Sequence, residues 1–230
     1  MNEANHSDRG SAHTAGTARA RVLARIRAAV RDAAEAPPVT RDYLSAHTPD
    51  DPAAALGLLH RNLADYRAGV HRTSPDGLPA LVAALLTARG ARSAAVPAGV
   101  PGHWLSACTA VLHHDDGTLT ARALDTIDAV ISGCALAIAE TGTIVLDGGP
   151  AQGRRALTLV PDLHICVVRT PDQVVTSVPR AMPLLSPTRP LTWISGPSAT
   201  SDIELTRVEG VHGPRTLEVI LLAAGPPDPP

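Results

Sequence analysis

The chain has 230 residues, 44% of them apolar and 18% charged, with a formal net charge of −2. That is enough apolar material for one substantial core. The near-balance of charge, carried on the basic side by arginine alone, leaves no electrostatic footprint for nucleic acid or an anionic membrane. Cys108, Cys134 and Cys166 are widely separated and odd in number. They form neither the four grouped thiolates of an iron–sulfur cluster nor the paired ligands of a structural zinc, and they read as buried free thiols.

In chain order, residues 1–17 are polar, without the apolar stretch or cleavage pattern of a signal peptide, and are expected to be disordered. Residues 18–31 place Val22, Ile26 and Val30 on one face of an amphipathic helix that Pro37 and Pro38 end. A second helix starts with Asp51 as N-cap and Pro52 at the first helical position, and closes near Gly69. Leu56, Leu59, Leu63 and Tyr66 share its apolar face. A short strand over 70–72, a helix from Leu78 to Arg89 closed by Gly90, and a strand from Ser93 to Pro97 follow. Thr120 caps a helix through Asp125, and Ala129–Ser132 is a short buried strand.

Apolar runs over 135–139 and 144–146 then flank the turn Glu140-Thr141-Gly142-Thr143. Gly148-Gly149-Pro150 leads to a short helix around Arg154–Val160, and Ile165–Val168 is a β-branched strand. Thr170-Pro171 reads as the cap of a helix that Pro179 interrupts or ends. Thr192–Ser195 and Leu217–Leu222 are the last strands, before a Pro-rich tail. No run approaches the ~18 apolar residues of a membrane span, so the expectation is a soluble, cytoplasmic protein. Strands alternating with helices imply a mostly parallel sheet covered on both faces. The expected organisation is a single α/β domain over 18–222, mainly helical to residue 70, between disordered ends at 1–17 and 223–230.

Ligands of such sheets gather beyond the carboxyl ends of the strands. Glu140, with Thr141, Gly142 and Thr143, offers a carboxylate and two hydroxyls, fit for a general base or nucleophile or for an ordinary hairpin turn. The stretch from Ser195 to Glu204 combines Gly196 with Ser198, Thr200 and Ser201, whose hydroxyls and backbone amides suit an anion, and with Asp202 and Glu204, which cap a helix or meet substrate hydroxyls. His212, between Gly210 and Gly213, is an acid, base or anion donor, or a residue fixing its loop. His113-His114-Asp115-Asp116-Gly117 is metal-capable in composition but ends in a turn signal, so no metal site is assigned. The glycines of 148–153 lack dinucleotide-fingerprint spacing, and Arg154 and Arg155 behind them pair with an anion or remain solvated.

Taken together, Ile138-Ala139-Glu140-Thr141-Gly142-Thr143-Ile144-Val145-Leu146, the run through Arg154, Leu157, Pro161 and His164-Ile165, and Gly196–Glu204 followed by Val208–Pro214 resemble the lactate utilization protein C (LutC/YkgG) family, whose domain is named LUD. The resemblance covers about residues 120–222. It implies a three-layer α/β/α fold with a mostly parallel sheet, NagB/RpiA/CoA-transferase-like, plus a helical N-terminal segment. It also implies a non-redox role in oxidising L-lactate to pyruvate beside LutA- and LutB-like iron–sulfur proteins, with no cofactor of its own and a small anionic metabolite as ligand. On the matching positions, Glu140 and His212 become the catalytic candidates. Thr141, Gly142, Thr143, Gly196, Ser198, Thr200, Ser201, Asp202 and Glu204 become the ligand-binding ones. The rival readings are a free-standing CoA-transferase-like or sugar-phosphate-isomerase-like enzyme using Glu140, and a metabolite-sensing subunit without turnover. The purified chain should be colourless; stoichiometric iron with a visible absorption band would overturn this account of its cysteines.

Overall fold

The computed structural model describes residues 17–33, 37–200, 208–210 and 212–224. Residues 1–16 and 225–230, expected to be disordered, and Ser201, Asp202 and Glu204 lie outside them. Two units are distinguished, one ending at Tyr43 and one beginning at Leu44. The first contains α1 (Ala18–Ala29), started by the Thr17 hydroxyl, which accepts the Ala20 N–H. Its stripe of Val22, Ile26 and Val30 is more than half exposed at every position.

The second unit opens with α2 (Pro52–Asp65). Its first turn is fixed by Asp51, whose carboxylate accepts from Ala53 and Ala54 N–H, and by Pro52, whose missing donor would have no helical partner there anyway. There follow β1 (Gly69–Thr73), α3 (Leu78–Ala88), β2 (Ser93–Pro97), a 3-10 turn over Gly102–Leu105, β3 (Val111–Asp115), α4 (Ala121–Leu124) and β4 (Ala129–Ser132). Next come β5 (Leu136–Ile138), β6 (Thr143–Leu146), α5 (Arg155–Leu159), β7 (Leu163–Thr170), β8 (Val174–Val175) and α6 (Val178–Ala181). The chain continues through β9 (Thr192–Ile194), β10 (Ala199–Thr200), β11 (Val208–Glu209) and β12 (Thr216–Ala223).

Six strands form one sheet in the order β1-β12-β7-β4-β2-β3, every neighbouring pair parallel. Burial on both faces explains why its strands read as continuous apolar runs rather than alternating ones. One face packs under α3 and the 3-10 turn, through Leu78, Val82, Leu86 and Trp104 against Val96, Ile131, Ile165 and Ile220. The other is covered by α2, with Leu59 and Leu63 wholly buried, and by α4 and α5. This is the α/β architecture expected from the alternation of elements.

Several elements differ from the sequence reading. β5, β6 and β9 join β8 in a separate four-stranded sheet, β8-β5-β6-β9, laid on α2 and the main sheet rather than within the latter. Its outer side is closed by Ala181 and Leu185. The edge strand β3 holds His113, His114 and Asp115, where the sequence pattern marks only a polar cluster ending in a turn. No helix starts at Thr170-Pro171. Main-chain bonds from Ala137 N–H to Gln173 C=O and from Ala139 N–H to Val175 C=O draw that segment into the small sheet. The helix begins later, with Ser177 accepting the Arg180 N–H and Pro179 harmless in the first turn. Tyr66 caps α2 and is 51% exposed, outside the apolar face. Among the described residues no helix is long and apolar enough to cross a membrane.

One buried carboxylate ties two strands of the main sheet to the end of α3. Glu218 in β12, 2% exposed, takes Arg89 Nε at 2.9 Å on one oxygen and meets His71 Nε2 of β1 at 2.7 Å on the other. Its register partner is Gly69, where a Cβ would stand 1.9 Å from Glu218 Oε2. A side chain at 69 therefore collides with a carboxylate held by the Arg89 guanidinium and the His71 ring. Gly69→Ala should cost about 1–3 kcal/mol in urea unfolding, and an unchanged midpoint would show that Glu218 yields freely.

Candidate functional site

The main sheet reverses direction between β2 and β4, since β2 hands the chain outward to β3 while β4 hands it the other way to β7. In open parallel sheets such a switch point opens a crevice at the carboxyl ends of the strands. Here the loop 147–153, leaving β6, enters it. Ala151 N–H donates to Ala98 C=O just past β2 at 2.9 Å, and Ala151 C=O accepts from Gly133 N–H just past β4 at 2.8 Å. Ala151 has φ 63°, a left-handed conformation sparsely used by a residue with a Cβ. Strain of this kind persists only where the surroundings enforce it.

Asp147 and Gln152 enforce it from within the loop. Asp147 Oδ1 accepts from Gly149 N–H at 3.0 Å and Gln152 Nε2 at 2.8 Å, while Gln152 Oε1 accepts Asp147 N–H at 2.7 Å. Gln152 is 5% exposed. Asp147 Oδ2 takes Arg189 Nη1 at 2.7 Å. Burial pushes the Asp147 carboxyl up, but Arg189, Gly149 and Gln152 outweigh it and hold the group below the usual carboxylate range.

Outside this loop lies a cleft of about 710 Å³ whose wall includes Asp115, Gly149, Arg154, Arg155, Thr158 and Arg189. Arg154 grips Asp115 side-on, Nε to Oδ2 at 3.0 Å and Nη2 to Oδ1 at 3.1 Å, and also donates to Leu119 C=O. The bond to Asp115 keeps its guanidinium firmly cationic. Arg155, at the start of α5, is exposed and makes no ion pair among the described residues. The cleft thus holds two arginine–carboxylate pairs and a further cation. A carboxylate or phosphate entering it meets donors whose charge-assisted hydrogen bonds are worth about 1.5–3 kcal/mol each when shielded from water.

The catalytic and ligand-binding candidates from sequence that fall among the described residues lie elsewhere, and several of them touch one another. Glu140 to Thr143 form the β5–β6 hairpin. Asn62 Nδ2 of α2 donates to the carbonyls of Ala139 and Glu140, and a Cβ at Gly142, φ 57°, would stand 2.8 Å from the Asn62 backbone. Thr143 Oγ1 lies 2.8 Å from both Thr141 Oγ1 and Ser195 Oγ. Gly196 packs against the Tyr66 backbone. Ser198 N–H donates to Pro214 C=O at 2.8 Å and its hydroxyl accepts His212 N–H at 3.0 Å, leaving the His212 side chain exposed. Thr200 pairs through its backbone with Val208. Ser195–Ser198 and His212–Pro214 thus gather beside Tyr66 and Pro214, just before β1 and β12, at the amino ends of the sheet. The arginine cleft lies at the carboxyl ends.

Glu140 itself accepts His47 N–H at 2.6 Å and Thr48 N–H at 2.8 Å on one oxygen. Burial raises its carboxyl, but the His47 and Thr48 amides and the Thr48 hydroxyl prevail and hold it below its ordinary value. A carboxylate so held is a weakened proton acceptor.

The family model of the LUD domain matches residues 103–222. The chain belongs to the LUD-domain family. A lactate utilization protein C of Deinococcus radiodurans is 49% identical over 178 residues, spanning 74% of this chain and 82% of its own length. Another lactate utilization protein C, from Halalkalibacterium halodurans, is 32% identical over 111 residues, 45% of this chain and 48% of its own. The crystal structure of a DUF162 family protein from Deinococcus radiodurans is 42% identical and superposes with a TM-score of 0.65, covering 76% of this chain and 99% of that one. The LUD match encloses both the arginine cleft and the hairpin and ribbon motifs.

Within this LUD domain the cleft residues Asp147 and Arg189 carry no signal in the sequence, whereas Arg155 stands there as one of two arginines that pair with an anion or remain solvated, and Asp115 only within a polar cluster given no metal. The signal the sequence carries for this cleft is Gly148–Gly153 followed by two arginines, whose spacing is not that of a dinucleotide loop. Arg189 and Asp115 join it only through folding. Because Glu140 is depressed, its stabilising effect is complete above the ordinary carboxylate value of 4.5 and fades as pH falls through the lower folded value. Glu140→Gln should therefore cost on the order of 1 kcal/mol near neutrality, with the gap to wild type closing on acidification. A pH-independent gap in thermal melts would contradict that role.

Proposed function

We propose that this chain is a non-redox component of an L-lactate-utilisation system, working beside LutA- and LutB-like iron–sulfur proteins and binding a small carboxylate or phosphate anion in the Arg155–Arg189 cleft. The lactate assignment is supported by the names of the relatives, above all the one at 49% identity over most of both chains. The ligand assignment rests on one observation, an exposed Arg155 facing the 710 Å³ cleft between two arginine–carboxylate pairs at the switch point. Electron transfer is assigned to the partners, because a cluster normally takes four grouped thiolates and this chain has three cysteines.

Glu140 enters this reading as an anchor for the main chain at 47–48. An enzyme of CoA-transferase-like or isomerase-like type would require its carboxylate to attack or to take a proton, and the two backbone amides held on one of its oxygens weaken it for either use. Ser195, Ser198 and the His212 backbone are assigned to joining the hairpin to the ribbon.

Arg155→Ala should weaken binding of lactate, pyruvate or inorganic phosphate, whichever the wild type takes up, by about tenfold. The thermal midpoint should hardly move, since Arg155 is exposed. Calorimetric titration checks the affinity, and complementation of a deletion strain on L-lactate checks the physiological role. Full affinity in the variant would move the ligand away from this cleft.

A further inference from the structure

Past the carboxyl end of β7 the chain turns at Pro171 towards β8, and between that segment and the start of α2 lies a second pocket of about 210 Å³. Pro52, Ala55 and Leu56 give it one aliphatic wall, and Pro171 and Val174 the other. Its polar residues are Thr176, Arg180, Asp50 and Asp51. It shares no residue with the arginine cleft.

The Glu140 hairpin braces both sides of this pocket. The Glu140 carboxylate takes the His47 and Thr48 amides, which fixes the chain leading to Asp50. Its main-chain N–H donates to Thr176 C=O at 2.9 Å, and the Ser177 hydroxyl donates across to Ser45 C=O. A motif with no part in the anion cleft thus seats the two segments that enclose the pocket.

Two polar groups there are open to a ligand. Thr176 is 5% exposed, and its hydroxyl makes no hydrogen bond among the described residues. A buried hydroxyl without a partner is costly, and a ligand in the pocket can supply one. Arg180 Nη1 holds Asp50 Oδ2 at 2.7 Å, but Asp50 is 74% exposed. A solvent-facing ion pair adds little stability, so it opens readily. Asp51 is committed to the amides that start α2.

The charges decide the class of ligand. A lone carboxylate on Arg180 would strand Asp50 next to Asp51, and a lone ammonium would compete with Arg180 for Asp50. A zwitterion splits the ion pair and satisfies both halves. At about 30 Å³ per water the pocket holds the equivalent of roughly seven waters, which suits a small aliphatic metabolite rather than a drug-sized molecule. We propose that this pocket binds a free branched-chain α-amino acid. The side chain lies among Pro52, Leu56, Pro171 and Val174, the carboxylate on Arg180 and the Thr176 hydroxyl, and the ammonium on Asp50.

The test is calorimetric titration of the full chain with L-valine, and with isovalerate and isobutylamine, which each lack one of its charges. L-valine should bind about tenfold more tightly than either analogue, and Thr176→Val and Arg180→Ala should each weaken it by about tenfold. The thermal midpoint of ligand-free Thr176→Val should hold or rise, since a methyl replaces a hydroxyl that has no partner. A clear fall would mean that the hydroxyl is already satisfied and would remove it from the site. No binding of L-valine, full affinity in both variants, or an analogue binding as tightly as L-valine overturns the proposal. Lactate competing with L-valine overturns the separation of this pocket from the arginine cleft.

Discussion

The two main-chain hydrogen bonds of Ala151 join parts of the chain that have no other reason to meet. One fastens the loop to the end of β2 and the other to the end of β4, and the strands there diverge in their onward paths. Without them the switch point would be an open crevice with unpaired carbonyl and amide groups, each costing about 1–3 kcal/mol if left buried and unsatisfied. With them it is divided into a polar cleft on one side and a small thiol-lined cavity on the other. The carboxylate of Asp147 and the amide of Gln152 hold the loop in the shape that makes both contacts possible.

Much of the architecture is legible because local chemistry and global packing agree. Asp51-Pro52 starts a helix, and Leu59 and Leu63 recur at helical spacing and are buried; β7 and β12 are apolar because both their faces are covered. Legibility fails where tertiary contact overrides a local signal. Thr170-Pro171 looks like a helix start, yet Gln173 and Val175 lend their carbonyls to β5 and the helix is delayed to Ser177. The apolar runs of β5 and β6 show strands but not which sheet receives them, since a three- or four-residue buried run carries no mark of its partner.

The site shows the same division. The Glu140 hairpin and the Ser195–His212 block are the most recognisable motifs in the sequence, and the polar atoms of Glu140–Thr143, Ser195, Ser198 and His212 find partners in one another, in the Asn62 side chain of α2 and in the main chain at 47–48. Recognisability here tracks a joint between elements. The arginine cleft draws on Asp115, Asp147, Arg155 and Arg189, which are scattered over the chain and announce themselves only as a glycine-rich stretch followed by two arginines. A close relative carrying a lactate-utilisation name adds a role that neither group of residues spells out.

The position of β12 has a consequence for how the molecule is made. Among the described residues it is the last strand yet lies inside the sheet, between β7 and β1, and there β1 has no other strand partner. The pairing of β1 with β12 closes a very long loop, which slows folding. During synthesis β1 must wait, its backbone groups unpaired, until the final strand has left the ribosome. The strand β1 therefore joins the sheet last, and a nascent chain that stalls before Thr216 leaves both β1 and the neighbouring edge of β7 open to other chains.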